Sequence, residues 1–279
     1  MTMMRSINAV SLAPAVNDWL GNTCHPRVLH VFDHVCNLVN ERGDVLSVVV
    51  PQIGNGPFTL VVEDRVLFSE QVSLETQVAV SQTKLTLGNL VVSTTGGKPW
   101  NPQPDWGQLH SRKSDILDQL TLFSFSDHKL SIPMSLLSDL TISIVAADVS
   151  KARICAQKIS GLGVGLTPEG DDFMVGTILA AWIIHPLEAA GELAKDITDA
   201  AAPLTTSLSA AWLKSAGRGE AGQVWHDLFD ALLSADKMPI EESVEKILNI
   251  GHTSGADALA GFFSVLNSYA ESKIKYVIS

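Results

Sequence analysis

The chain has 279 residues, of which 46% are hydrophobic and 18% are charged, and its formal net charge is −11. This length allows one large domain or two moderate ones, and the apolar fraction is sufficient for a sizeable core. The acidic charge argues against a nucleic-acid-binding protein, because such proteins present a basic face.

The first hundred residues are predicted to form a β-rich domain with a leading helical part. Apolar residues between positions 8 and 40 recur at helical spacing, so helices are expected there in pieces. His30 and His34 would then lie on one face, but ordinary half-buried histidines are favoured over a metal pair, since no acidic ligand follows at the usual spacing.

Further along the domain, short β-branched runs alternate with turns of Gly, Asn and Pro. This pattern predicts an antiparallel sheet or a small barrel over about residues 41–95. The expected strands cover residues 44–50, 58–62, 65–68, 72–80, 84–87 and 90–93.

A proline-rich stretch at residues 97–104 separates this region from a longer helical one, so the predicted domains are 1–100 and 101–279. Helices are expected at residues 106–124, 131–143, 144–159, 168–184, 187–199, 204–217, 222–235, 240–249 and 255–271. The predicted class is α+β: a small N-terminal antiparallel β-rich domain, followed by a larger α-helical domain that carries the candidate site.

The helical domain contains the glycine-rich stretch GLGVGLTPEGDD, residues 161–172. Its alternating glycines, among them Gly163 and Gly165, let the backbone adopt positive φ angles and approach another group. Thr167 is predicted to cap the next helix, with Pro168 at its first position. The unpaired N–H groups of such a helix start form an anion site, although glycine-rich turns before capped helices are also common as purely structural features.

Two aspartates follow in this stretch, Asp171 and Asp172. Adjacent helical residues lie about 100° apart, so only one of them can serve a given purpose on one face. The other is then available to hold the loop or a ligand. The helix dipole alone also favours Asp in a first turn.

A second stretch, GHTSGAD at residues 251–257, repeats the spacing Gly-x-Thr-x-x-x-Asp of Gly165, Thr167 and Asp171. Both stretches precede an apolar helix, so the two loops are predicted to face one small anionic ligand from opposite sides. The structural alternative is that Ser254 caps the helix and Asp257 closes a turn like a capping box.

These two stretches resemble the AllH family, also called the YlbF family, whose members include a subunit of bacterial oxamate carbamoyltransferase. The resemblance covers about residues 155–270. It implies partner proteins, the FdrA-like (AllF) and AllG subunits, and a reaction of anaerobic allantoin and purine catabolism. That reaction joins oxamate and carbamoyl phosphate to give oxalurate and phosphate, or runs in reverse.

The predicted site combines both loops with nearby polar residues. Asp residues would orient the loops, accept from the amide of oxamate or bind Mg²⁺, the one cofactor considered, and His252 would donate to a developing oxyanion. The predicted catalytic residues are Asp171, Asp172, His252 and Asp257. The predicted substrate-binding residues are Gly163, Gly165, Thr167, Gly170, Thr205, Thr206, Arg218, Gly251, Thr253 and Ser254.

Two other functions fit the same sequence. The chain is alternatively a non-catalytic structural or regulatory subunit whose glycine loops shape an interface, or an independent metal-dependent hydrolase of small anionic amides. The three cysteines, odd in number and widely spaced, indicate a reducing compartment, and the longest apolar run is shorter than the about 20 residues of a membrane span. A cytoplasmic location is therefore expected.

Overall fold

The computed structural model describes residues 4–63, 66–120, 128–234 and 237–278. The chain divides into two compact units, of which the first ends at Pro102 and the second begins at Gln103. Strands dominate the first unit and helices the second, so the α+β class is confirmed. Each unit has its own buried apolar cluster.

In the residues that the structure describes, the first unit is a nine-stranded mixed sheet with one α-helix. Along the sheet the order is β2-β3-β4-β5-β1-β8-β7-β6, and β9 pairs with β1. The elements are β1 Arg5–Leu12, α1 Pro14–Asn22, β2 Arg27–Val31, β3 Val35–Val39, β4 Val45–Val49, β5 Thr59–Val62, β6 Val78–Ser81, β7 Lys84–Leu87, β8 Leu90–Ser93 and β9 Lys98–Pro99.

Antiparallel pairing dominates this sheet, as predicted, but three pairs are parallel: β1 with β8, β1 with β9, and β4 with β5. All five residues of β4 are buried, which explains its continuous run of apolar and small residues. Val16 and Trp19 of α1 belong to the same buried cluster. The first unit thus buries the middle of its sheet.

The predicted helical character of residues 8–40 is wrong except at α1. Residues 5–12, 27–31 and 35–39 are strands. Their valines fit helical spacing, but β-branched side chains also favour strands, and pairing with neighbouring strands decides between the two. His30 therefore lies on β2 and His34 precedes β3, so they do not share a helical face. Phe68–Glu70 is a short 3₁₀ helix rather than the end of a strand, and Arg65 lies outside the described residues.

The second unit is helical and follows the predicted pattern closely. Its helices are α2 Trp106–Ser111, α3 Lys113–Leu120, α4 Met134–Val145, α5 Val149–Ile159, α6 Glu169–Ile184, α7 Leu187–Ala201, α8 Ser207–Gly217, α9 Gln223–Ser234, α10 Lys237–Leu248 and α11 Ser254–Ile278. The helix predicted over residues 106–124 is divided at Arg112, and its last four residues lie outside the described chain.

Helix α6 is the centre of this unit. Thirteen of its sixteen residues are buried, so it is apolar nearly all round, as a helix enclosed by others must be. It packs most extensively against α11. The two helices begin at the two glycine-containing loops that the sequence singled out.

Candidate functional site

The loop before α6 has the unusual backbone that its glycines allow. Gly161, Gly163 and Gly165 all have positive φ angles, of 71°, 114° and 103°. A Cβ on Gly163 would lie 2.6 Å from the backbone N of Glu169, so the loop folds tightly against the helix start. Among the described residues, none accepts a hydrogen bond from the backbone N–H groups of residues 163–167. These N–H groups are therefore unused donors within the described chain.

Asp171 holds this loop in place. Its Oδ1 accepts hydrogen bonds from the backbone N of Gly161, at 3.0 Å, and from the hydroxyl of Ser160, at 3.4 Å, while its Oδ2 accepts from Thr205. Burial raises the pKa of this carboxyl, and these hydrogen bonds partly offset the rise. Both oxygens of Asp171 are therefore bound by the chain itself.

Thr205 and Thr206 lie beside the glycine-rich loop, as the predicted site requires. Thr206 caps α8, because its hydroxyl oxygen accepts from the backbone N of Ser209 at 3.1 Å, and the same hydroxyl donates to the carbonyl of Leu166 at 2.8 Å. The hydroxyl of Thr205 is therefore bonded to Asp171 and that of Thr206 to the loop backbone, so both hydroxyls hold the loop in place.

Thr167 does not cap α6 as predicted. The capping position falls on Pro168, and no side chain caps the helix. The hydroxyl of Thr167 instead forms a 2.8 Å hydrogen bond with the hydroxyl of Ser254, the first residue of α11. Pro168 has a non-helical backbone, with ψ 142°, so the helix starts one residue later than expected. This hydrogen bond joins the two loops.

The starts of α6 and α11 are held together by reciprocal close contacts. A Cβ on Gly176 of α6 would lie 1.8 Å from the carbonyl oxygen of Ala258, and one on Gly261 of α11 would lie 2.0 Å from the carbonyl oxygen of Phe173. Only glycine permits such an approach of two backbones. The reciprocity is that of a two-fold interface.

The second residue of each helix is also a glycine, and it lies close to a backbone carbonyl of the preceding helix, α5 or α10. A Cβ on Gly170 would meet the carbonyl of Ile159 at 2.4 Å, and one on Gly255 would meet the carbonyl of Ile247 at 1.7 Å. Both helices thus carry the pattern Gly-x-Asp-x-x-x-Gly over residues 170–176 and 255–261. The structure therefore matches Asp257 with Asp172, not with Asp171 as the loop spacing suggested, since Asp172 and Asp257 are both fourth residues.

Asp172 and Asp257 differ from Asp171 in having one unsatisfied oxygen each. Their side chains are buried, yet Oδ2 of each carboxyl has no hydrogen-bond partner in the described chain. Burial raises the pKa of Asp172 to about 8, and the negative charge of Asp257 contributes to this rise, while hydrogen bonds with Ser254 and Thr167 oppose it. Burial also raises the pKa of Asp257.

Residues 128–132 contribute a part of this site that the sequence did not indicate. Nε2 of His128 is bonded to Oδ1 of Asp257, and Glu169 accepts from both the backbone N and the hydroxyl of Ser131. Ile132 lies against Gly170. No motif surrounds His128, and 129 residues separate it from its partner, so only the fold reveals the pair.

Among the remaining predicted residues, His252 and Arg218 take no part in these contacts. His252 is exposed and has no hydrogen bond in the described chain, while Thr253 bonds Asp257 through its side chain. Gly251 adopts a positive φ of 59° just before them. Arg218 follows α8 and pairs with Glu220 at 2.6 Å, so its guanidinium is already occupied. Two cavities of 260 and 440 Å³ lie elsewhere in the described chain.

Two family models match the chain, one in each of its two units. A family model for the AllH N-terminal domain matches residues 8–99, and one for oxamate carbamoyltransferase subunit AllH matches residues 159–266. The chain belongs to the AllH family. The resemblance seen in the glycine-rich stretches is thus confirmed, and the second match contains both loops with α6 and the first half of α11.

No solved structure matches the chain. In the part of the chain that the structure describes, no helix has the length and apolar character needed to cross a bilayer.

Proposed function

We propose that this AllH-family chain is a working subunit of a carbamoyltransferase and binds the anionic group of its substrates at the joined starts of α6 and α11. The observation that carries this proposal is the set of unused N–H donors at residues 163–167, in a loop with three positive φ angles. Donors of this kind, next to the N-terminus of a sixteen-residue helix, are suited to phosphate or carboxylate groups.

The proposed reaction couples carbamoyl phosphate with oxamate. The amide nitrogen of oxamate attacks the carbamoyl carbon, a C–N bond forms, and the C–O bond to phosphate breaks, with loss of a proton from nitrogen. The products are oxalurate and phosphate, and the reverse reaction makes carbamoyl phosphate. The loop donors would hold the phosphate and stabilise charge that develops on it, which requires no covalent intermediate.

The proposal includes its biological setting. The chain would act in the cytoplasm, in anaerobic allantoin and purine catabolism, together with the FdrA-like (AllF) and AllG subunits. Membership of a family named for one subunit of an enzyme supports the existence of partners. The identity of those partners follows from the resemblance of the sequence to this family.

A specific observation also supports the alternative of a structural subunit. Leu162, Val164 and Leu166 alternate with the loop glycines, and Val164 is 93% exposed. Exposed apolar side chains on a rigid loop suit a protein interface. In this alternative the loop contacts a partner subunit and binds no substrate.

One substitution separates the two functions. Gly165→Ala strains a backbone at φ 103° without meeting any atom, and Gly43→Ala in the first unit does the same at φ 82°. We expect Gly165→Ala to lower the affinity for phosphate and carbamoyl phosphate by about tenfold or more, because the donors lose their common direction. Gly43→Ala should lower stability by a similar amount and leave affinity unchanged. Calorimetric titration of the chain, alone and with the AllF and AllG subunits, measures the affinity, and thermal denaturation measures the stability.

The outcomes are distinct. Anion binding that Gly165→Ala abolishes, with assembly intact, supports the substrate site. If Gly165→Ala prevents assembly with the partner subunits but binds anions as the wild-type chain does, the interface function is favoured. Hydrolysis of oxalurate by the isolated chain, stopped by a chelator, would favour a metal-dependent hydrolase. A folded chain that binds none of phosphate, carbamoyl phosphate, oxamate and oxalurate, alone or assembled, contradicts the proposal.

A further inference from the structure

The two buried carboxyl groups at the starts of α6 and α11 occupy equivalent places. Asp172 and Asp257 are both the fourth residue of their helix, and each directly precedes a residue whose carbonyl is touched by a glycine of the other helix. Asp172 is hydrogen-bonded to Ser254, which lies one turn before Asp257 on the same face of α11. The charge of Asp257 also contributes to the raised pKa of Asp172, so the two carboxyls are near enough to interact at the junction of the helices.

Each of these carboxyls has one buried oxygen without a partner in the described chain. Oδ1 of Asp257 is bonded to His128, and Asp172 is held by the hydroxyls of Thr167 and Ser254. Oδ2 of Asp172 and Oδ2 of Asp257 have no partner in the described chain, although only 8% and 1% of these residues is exposed. Buried polar atoms without partners are costly, and a bound ion or water usually satisfies them.

We propose that Oδ2 of Asp172 and Oδ2 of Asp257 are ligands of one divalent-cation site at the paired starts of α6 and α11. A shared cation satisfies both oxygens and removes the repulsion between two buried carboxylates. The bonds from His128, Thr167 and Ser254 then fix the orientation of the ligands from outside, as hydrogen bonds to metal-bound carboxylates commonly do.

The chemistry of the donors selects the cation. Two carboxylates and nearby hydroxyls are hard oxygen donors, which suit Mg²⁺ or Mn²⁺. Within the described residues no group of three or more His, Cys, Asp or Glu side chains surrounds a common point, which argues against a fully protein-bound zinc site. Mg²⁺ commonly binds through one or two carboxylates and completes its shell with water or phosphate oxygens.

In this arrangement the loop and the two carboxylates bind groups of opposite charge. The loop N–H donors at residues 163–167 face an anion, whereas the two carboxylates face a cation, so a metal–phosphate pair satisfies both. The cation site deepens the proposed function by assigning its metal, but it is a property of the chain alone. Asp171 is excluded from it, because its own oxygens are already bound.

The test is a titration of the full-length chain, first treated with a chelator, with MnCl₂ alone, followed by competition with MgCl₂. Calorimetry and electron paramagnetic resonance of free Mn²⁺ give the stoichiometry and affinity. We expect one tight site in the wild type and a loss of affinity of about tenfold or more in both Asp172→Asn and Asp257→Asn. The control is Glu188→Gln, which also removes one negative charge, from an exposed residue in the first turn of α7, and should keep the wild-type affinity.

A second readout does not depend on variants that fold. In the ¹⁵N-labelled wild-type chain, substoichiometric Mn²⁺ should broaden the amide signals of residues 169–173 and 254–258 first. A folded chain that binds no Mn²⁺, variants that bind it as the wild type does, or broadening centred on surface acidic groups such as Asp227 and Glu242 would each overturn the proposal. Phosphate titration in excess chelator tests the anion site separately from the cation site. Phosphate binding under these conditions supports the anion site even where the Mn²⁺ titration has overturned the cation site.

Discussion

The starts of α6 and α11 share a frame but differ at one residue. Each helix has glycine second, aspartate fourth and glycine eighth, and each glycine lies against a backbone carbonyl. At the third position α6 has Asp171, whereas α11 has Ala256. Asp171 binds the glycine-rich loop and the segment before α8, and α11 has no counterpart of that bond network.

This difference separates structure from function within a single Asp-Asp pair. Asp171 is a buried charge that the chain satisfies completely, which is how folded proteins usually tolerate one. Asp172 and Asp257, which the two helices share, each keep a buried oxygen with no partner. The proposed cation ligands thus occupy the position common to both helices, and the position unique to α6 holds the loop.

The largest effect is expected where the helices touch. Gly176→Ala places a Cβ 1.8 Å from a backbone oxygen, which no side-chain rotation can relieve. We expect a loss of about 3 kcal/mol in unfolding free energy, or about 6–12 °C in Tm by circular dichroism, despite the better helix propensity of alanine. Gly21→Ala in α1, which meets no atom within 4 Å, is the control and should be neutral or slightly stabilising. Equal behaviour of the two variants would contradict the close approach.

An intermediate effect concerns pH. Burial raises the pKa of Asp172 from 3.8 to about 8, with the charges of Asp257 and Asp171 contributing. Between these two values the folded state retains a proton that the unfolded state has released, so stability falls as pH rises from 4 to 8 and then levels off with respect to this group. In chelator, wild-type Tm should fall over that range by about 5 °C more than that of Asp172→Asn.

The comparison with that variant isolates one carboxyl among several, because the pKa values of Asp171 and Asp257 are raised too. Parallel curves for wild type and Asp172→Asn would show that Asp172 is ionised at neutral pH in the folded state. Thermal denaturation at several pH values, followed by circular dichroism, provides the measurement.

The sequence indicates the helical unit well and the first forty residues badly, for physical reasons. Long apolar runs bounded by proline and glycine, such as 168–184, specify a helix almost alone. The valines of residues 27–39 satisfy both helix and strand spacing, and only the pairing of β2 with β3 and of β3 with β4 decides in favour of strands. Local pattern cannot supply that non-local information.

The candidate site shows the same limit. The glycines and hydroxyls of both loops are visible as motifs, and the hydrogen bond between Thr167 and Ser254 joins those loops. His128 and the reciprocal glycines Gly176 and Gly261 carry no local signal, because their meaning lies in which backbone or carboxyl faces them. The equivalence of Asp257 with Asp172 is visible only from the true helix starts, Glu169 and Ser254, each of which lies one residue from its predicted position.

The smallest effect is expected on the outer side of the loop that Asp171 holds. Thr206→Ala removes the cap of α8 and the bond to the carbonyl of Leu166. We expect a loss of about 1–2 kcal/mol, or about 2–8 °C in Tm, whereas Thr206→Ser keeps the hydroxyl and should lose less than half as much. If both variants lost the same, packing of the methyl group rather than the hydroxyl bonds would stabilise this side. Because neither variant touches Asp172 or Asp257, Mn²⁺ affinity should remain at the wild-type value in both.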